Sequence, residues 1–129
     1  MWRAAIRVLL DTQALILAHL GHLPPRLEEQ LAPLDVEVNL SIASLVEIAV
    51  KNSIGKLTMG KEQTAQALKD LHITLLPLEA RHASAMFSLP LHHRDPFDRM
   101  ILATALAERL PIVTADRVFR RYTGVQVIW

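Results

Sequence analysis

The chain has 129 residues, 51% of them apolar, with a formal net charge of +1 and no cysteine. That length fits a single domain over residues 1–129, and that apolar share supports a packed core and excludes a disordered chain. The absence of cysteine excludes disulfide frameworks, thiolate zinc sites and thiol catalysis; the near-neutral charge means that any nucleic-acid contact must come from locally concentrated Lys and Arg.

Arg3 and Arg7 flank the start of a short apolar run, Val8-Leu9-Leu10. The run is too short for a signal peptide or a membrane span, so a cytoplasmic protein with no membrane partner is expected. Residues 6–10 read as a buried strand ending at Asp11. Asp11-Thr12 can cap a helix that runs to about Leu20 and closes at Gly21. Pro24-Pro25 interrupts the chain, and Pro25 suits the first turn of a short helix carrying Leu27, Leu31 and Leu34. Val36, Val38 and Leu40 alternate with Glu37 and Asn39, a strand pattern. Helices follow over residues 43–54, ended by Gly55, and 61–71, then a third strand at 73–76 and a helix over 79–89. Asp95-Pro96 opens a strong helix, with Asp95 at the N-cap, Pro96 in the first turn and apolar residues recurring at Phe97, Ile101 and Ala105. Ile112-Val113 is a short strand leading to Thr114-Ala115-Asp116; a short helix to Tyr122 and a final strand over 125–128 complete the pattern. Strands alternating with helices predict an α/β fold, a parallel sheet covered on both faces.

In such a sheet, strand C-termini and helix N-termini lie along one edge, where open α/β sheets place their sites. Asp11 follows the first strand, Glu47 lies early in the helix after the second, Asp98 lies in the first turn of the Asp95-Pro96 helix, and Asp116 follows Ile112-Val113. Four carboxylates from separated segments thus project toward one edge. Packed together they repel and need a cation, and oxygen-only ligands favour Mg²⁺ or Mn²⁺. Such ions suit phosphodiester hydrolysis without a protein nucleophile. Each acid alone has a plainer role. Asp11 and Asp116 can simply cap helices, Asp98 can serve the helix dipole, and Glu47 can complete a Ser44-Leu45-Val46-Glu47 capping box or pair with Lys51 at i+4. The joint placement carries the functional reading.

These residues also carry a resemblance. Leu9-Leu10-Asp11-Thr12-Gln13-Ala14-Leu15, the stretch from Ser41 through Glu47 to Lys51 with Ile54-Gly55-Lys56-Leu57, and His93-Arg94-Asp95-Pro96-Phe97-Asp98-Arg99 followed by Thr114-Ala115-Asp116 resemble a PIN-domain ribonuclease of the VapC toxin type, from type II toxin–antitoxin modules. The likeness runs along nearly the whole chain, and the Asp-Pro-Phe-Asp-Arg segment with its downstream Thr-Ala-Asp is the specific part. It implies a three-layer, Rossmann-like domain with a central five-stranded parallel sheet flanked by helices, and a Mg²⁺- or Mn²⁺-dependent ribonuclease. Asp11, Asp98 and Asp116 match metal-binding aspartates, and Glu47 matches an acid that often acts through metal-bound water. Thr114, with Thr12 beside Asp11, stands in supporting positions. The resemblance further implies a VapB-like antitoxin, contact with operator DNA only through that antitoxin, and a homodimer. Gln13 stands where close relatives often have His, which bears on substrate preference rather than on the reaction.

Among the basic residues, Arg99, Lys51 and Arg117 are the candidate RNA phosphate contacts, Arg99 foremost because it adjoins Asp98. A solvated helix face accounts for Lys56 and Arg120 at least as well. Aromatic residues are only 5% of the chain, so extensive base stacking is not expected, and Phe87 and Phe97 read as core. His92 and His93 would line the mouth of the site, and a plain loop position explains them equally well. His93-Arg94-Asp95 matches a kinase catalytic-loop triplet, but the Gly-rich loop and Asp-Phe-Gly are missing. A phospho-acceptor domain would need an aspartate where the third strand runs into Leu76-Pro77-Leu78. Two alternatives stay open on the residues alone: a binding protein with little catalysis, and a metal-dependent nuclease acting on DNA.

Overall fold

The computed structural model describes residues 6–129. Five strands, β1 (Ile6–Leu10), β2 (Val36–Ser41), β3 (Thr74–Leu76), β4 (Ile112–Val113) and β5 (Val127–Ile128), form one sheet in the order β3-β2-β1-β4-β5, with every pairing parallel. Six helices flank it: α1 (Thr12–His19), α2 (Pro25–Leu31), α3 (Ile42–Ser53), α4 (Lys61–Asp70), α5 (Ala80–Met86) and α6 (Pro96–Glu108). A 3₁₀ turn at Arg117–Arg121 precedes β5. This is the α/β architecture expected from the sequence. Arg3 lies outside the described residues. Among the described residues no helix is long and apolar enough to cross a membrane.

The core follows from Val8-Leu9-Leu10 of β1 and from β4, which are buried on both faces, whereas Ile6 and Arg7 at the start of β1 are exposed. Leu9 and Ile112 pack on one side with Ile101, Leu102 and Ala105 of α6 and with Phe119 and Tyr122; Val8, Leu10 and Val113 pack on the other with Ala14, Leu15, Leu27, Leu40 and Ile48. A strand segment covered on both faces needs no polar side, which is why Val8-Leu9-Leu10 reads as a continuous apolar run. β2 departs from its alternating pattern for the same reason. Asn39, which the pattern sets on the polar face, is fully buried, and its Nδ2 donates to the carbonyl of Val8 (3.1 Å).

Helix ends obey local chemistry. Asp11, Ser41, Asp95 and Asp116 each accept backbone N–H groups at the start of α1, α3, α6 and the 3₁₀ turn. The cap of α3 is therefore Ser41, not Ser44, and Glu47 lies in its second turn, free of any capping-box role. α6 closes at Arg109, which takes the left-handed conformation at φ 55° and donates its N–H to the Ala105 carbonyl. Three apolar expectations fail, the first being Phe97, which is only partly buried and joins neither core cluster. α2 stops at Leu31, leaving Leu34 fully exposed, and α5 stops at Met86, so Phe87 is 94% exposed instead of joining the core.

The loop between α5 and α6 is held by Arg99. Its Nη1 donates to the carbonyls of Pro90 (3.0 Å) and His93 (3.1 Å), and its Nη2 to those of Met86 (3.3 Å) and Leu89 (3.2 Å). With those donors committed to main-chain acceptors, Arg99 is not placed as the phosphate contact that its position beside Asp98 suggested; it is the clasp of this loop. Removing a charged donor from several carbonyls at once is costly, and a single ammonium cannot reproduce a planar fork. We expect Arg99→Ala to lower stability by about 2 kcal/mol and Arg99→Lys to recover less than half of that, read from urea midpoints. An unchanged midpoint would return Arg99 to the list of free surface cations.

Candidate metal centre

The order of the sheet reverses between β1 and β4. β1 pairs with β2 on one side and with β4 on the other, so the chain leaves the two strand ends in opposite directions and opens a crevice there. Asp11 ends β1 at that point. Its N–H donates to the Val113 carbonyl (3.1 Å), its Oδ1 accepts the N–H of Ala14 (2.7 Å), and its Oδ2 accepts the hydroxyl of Thr114 (2.5 Å). The Thr114 hydroxyl also accepts the N–H of Asp116 (3.0 Å), so one buried side chain fixes both aspartates. Burial raises the pKa of Asp11, against the lowering effect of the Thr114 and Ala14 hydrogen bonds, and the charges of Asp116 and Glu47 add to the rise.

Glu47 is buried. Its Oε2 pairs with Lys51 Nζ at 2.8 Å, and its Oε1 accepts no hydrogen bond. The Glu47 hydrogen bond holds the Lys51 ammonium above its ordinary range, with Asp95 and Asp98 contributing. The Thr12 hydroxyl is directed away from hydrogen bonding with the acids. It donates to Ser44 Oγ (2.9 Å), tying α1, which Asp11 caps, to α3, which carries Glu47. Asp98 sits in the first turn of α6, its N–H taken by the Asp95 cap (3.1 Å). Its pKa is raised from 3.8 to about 7, first by burial; His93 opposes the rise, and the charges of Asp95, Glu47 and Asp11 add to it. Asp116 uses Oδ1 to accept the N–H of Val118 (2.9 Å).

The structure thus brings all four acids within one another's field, with Lys51 at the edge and Arg117 exposed beside Asp116. It adds a residue whose role the sequence left undecided. His93 Nε2 lies 2.9 Å from Asp116 Oδ2 and 3.1 Å from Asp98 Oδ2, and these three residues offer ligand atoms within 4.8 Å of one another. Glu79, His82 and Glu108 form a similar group, but there Arg81 supplies the cation, pairing with Glu79 (2.9 Å) and with Glu108. The acidic crevice fits a divalent ion better. Glu47 Oε1 is buried without a partner, Asp11 and Asp98 are driven toward protonation, and most of the donor atoms are hard oxygens.

The family profile described as "PIN domain" matches residues 8–125. The chain belongs to the PIN-domain family. Its fold is shared by solved structures of VapBC systems. A VapBC2 structure from Rickettsia felis bound to a promoter DNA fragment superposes with a TM-score of 0.73 at 20% identity, covering 95% of this chain and 98% of that one. VapBC-1 from nontypeable Haemophilus influenzae gives 0.72 at 19% identity (95% and 97% covered). VapBC-5 from Mycobacterium tuberculosis gives 0.63 at 24% identity (95% and 97%). No curated protein sequence matches the chain significantly.

In this PIN domain the raised pKa of Asp98 has a stability consequence. The native state binds that proton more tightly than the unfolded chain does. The stability it contributes is therefore full below the ordinary carboxylate range and is lost as pH rises through about 7. Asp98→Asn replaces the carboxylate with a neutral group of the same shape. We expect the metal-free variant to melt as the parent does at pH 4 and a few degrees higher at pH 8, on the order of 1 kcal/mol. A lower melting temperature at pH 8 would identify Asp98 as a helix-start residue only.

Proposed function

We propose that this PIN domain is the toxin of a type II toxin–antitoxin module, a cytoplasmic ribonuclease that depends on Mg²⁺ or Mn²⁺ and acts through Asp11, Glu47, Asp98 and Asp116. The observation that carries the reading is the convergence of four carboxylates at the switch point of the sheet, with one buried oxygen, Glu47 Oε1, left unpartnered. Asp11, Asp98 and Asp116 would hold the cation, with Glu47 joining directly or through water. A divalent ion held there supplies a phosphate anchor, acidifies the attacking water and stabilises the leaving oxygen. The residues of the chain do the rest. Thr114 orients Asp11 and Asp116, Thr12 sets α3 against α1, and Lys51 and Arg117 are the cations left to meet RNA phosphates. The preference for RNA over DNA rests on the family resemblance.

The test is cleavage of single-stranded RNA and DNA by the purified chain. RNA cleavage is expected with Mg²⁺ or Mn²⁺, falling to background with EDTA and in Asp11→Asn. Undiminished cleavage in chelator would overturn the metal assignment. Cleavage of DNA alone would move the substrate, and no cleavage of either would favour a binding role.

The likeness to VapBC complexes supports an antitoxin partner, and the same proposal makes it a VapB-like protein that carries the complex to operator DNA, with the toxin as a homodimer. The acidic crevice suits an antitoxin Arg or Lys, because a guanidinium can neutralise carboxylates bidentately where the metal would sit. An antitoxin tail with that residue changed to alanine is expected to inhibit RNA cleavage less, and high Mg²⁺ is expected to weaken inhibition by the intact tail. Full inhibition by a tail-deleted antitoxin would show blockade elsewhere.

A further inference from the structure

His93 is built into the acidic crevice more firmly than a loop residue needs to be. Its backbone N–H donates to the Tyr122 hydroxyl (2.7 Å), which itself donates to the Pro90 carbonyl (2.8 Å), and its own carbonyl accepts from Arg99. Its ring stands edge-on to Phe119, centroids 5.5 Å apart, and its side chain is only 14% exposed. The two ring nitrogens face opposite kinds of group. Nδ1 faces the backbone N–H of Asp95 at 3.3 Å, which can only donate. Nε2 faces Asp116 Oδ2 at 2.9 Å, with Asp98 Oδ2 at 3.1 Å.

A neutral imidazole has one donor and one acceptor nitrogen, and the hydrogen bond at one decides the other. Here Nδ1 must accept, so the proton sits on Nε2 and is directed at the carboxylates. A histidine prepared to ligate a metal through Nε2 has the reverse arrangement, its Nδ1–H donated to a carbonyl or carboxylate. His82, away from the crevice, shows the same polarity as His93. Its Nδ1 accepts the N–H of Glu79 (3.1 Å) and its Nε2 meets Glu108 (3.0 Å) in the cluster that Arg81 pairs with.

We propose that His93 is a positioning residue and not a metal ligand: its Nε2–H holds Asp116 Oδ2, beside Asp98, so that the two carboxylates keep the spacing and orientation a divalent cation requires. Asp116 is then gripped at both oxygens, by Val118 N–H at Oδ1 and by His93 at Oδ2, which fixes the plane of its carboxylate and leaves the remaining lone pairs for the ion. The inference rests on the reading of Asp98 and Asp116 as metal-holding residues.

The test uses the full chain without RNA. Nitrogen-15 spectra of the metal-free parent, with the His93 ring assigned by its loss in His93→Gln, are expected to show the Nε2–H tautomer; the Nδ1–H tautomer would overturn the proposal. Calorimetric titration with Mn²⁺ should show affinity falling about 10- to 100-fold in His93→Ala, with most of it restored in His93→Gln, whose amide can still donate from a similar position. Melting curves of both variants report whether the fold is kept. Electron spin-echo spectra of Mn²⁺ bound to the parent should show no directly bound nitrogen; a nitrogen coupling that vanishes in His93→Gln would make His93 a ligand and overturn the proposal. Equal Mn²⁺ affinity in parent and His93→Ala would sink the positioning role alone, whereas a parent that binds neither Mn²⁺ nor Mg²⁺ would sink the nuclease reading on which it stands.

Discussion

Carboxylates crowded under low-dielectric cover repel one another and lose their hydration, and each added acid raises the cost of ionising the next. In this chain the switch between β1 and β4 imposes that crowding. Asp11 directly follows β1, Asp116 lies just beyond β4, and the second turn of α3 and the first turn of α6 bring in Glu47 and Asp98. Everything else near the crevice can be understood as a response to the resulting field. N–H groups at helix starts bond Asp11 and Asp116, a buried threonine bonds one and braces the other, Lys51 balances Glu47, and His93 stands between Asp98 and Asp116. These groups soften the repulsion without removing it, since Asp11 and Asp98 remain harder to ionise than ordinary aspartates.

The compensation is uneven in a way that matters. Asp116 has both oxygens bonded, Asp11 likewise, whereas Glu47 keeps one oxygen bare and buried. A bare acceptor inside a protein is unfavourable unless something arrives to use it. The contrast with the Glu79–His82–Glu108 group is instructive. There two acids and a histidine are equally close, but Arg81 closes the charge balance internally, and the cluster serves to join α5 to α6. The difference between a clasp and a candidate metal centre is whether the chain brings its own full complement of positive charge.

Much of this was legible in the residues, because it depends on local rules. Asp95-Pro96 announced the start of α6, the apolar run Val8-Leu9-Leu10 announced a buried strand, and the four acids fell just after predicted strands or early in predicted helices. What was not legible depends on partners that carry no side-chain signature. Arg99 looked like a phosphate contact because it adjoins Asp98, yet it bonds four main-chain carbonyls, and no sequence pattern marks which carbonyls a loop leaves free. His93 was ambiguous for the same reason: its tautomer depends on a backbone N–H two residues away, and that contact exists only once the loop has folded. Phe87 and Leu34 were misplaced because helix ends, not helix existence, decide whether the last apolar residue reaches the core. Ser44 resembled a cap because the helix was expected to start at Ala43, later than Ser41, which does the capping.

The hydrogen bond from Thr114 to Asp11 joins residues 103 positions apart. During synthesis, which adds about 5–20 residues per second, the first half of the chain emerges with Asp11 and Glu47 but without β4, Thr114 or Asp116. β1 at that stage has β2 beside it and an open edge where β4 will later pair. The crevice therefore does not exist until β4 pairs with β1, and the four acids meet only once that edge is closed.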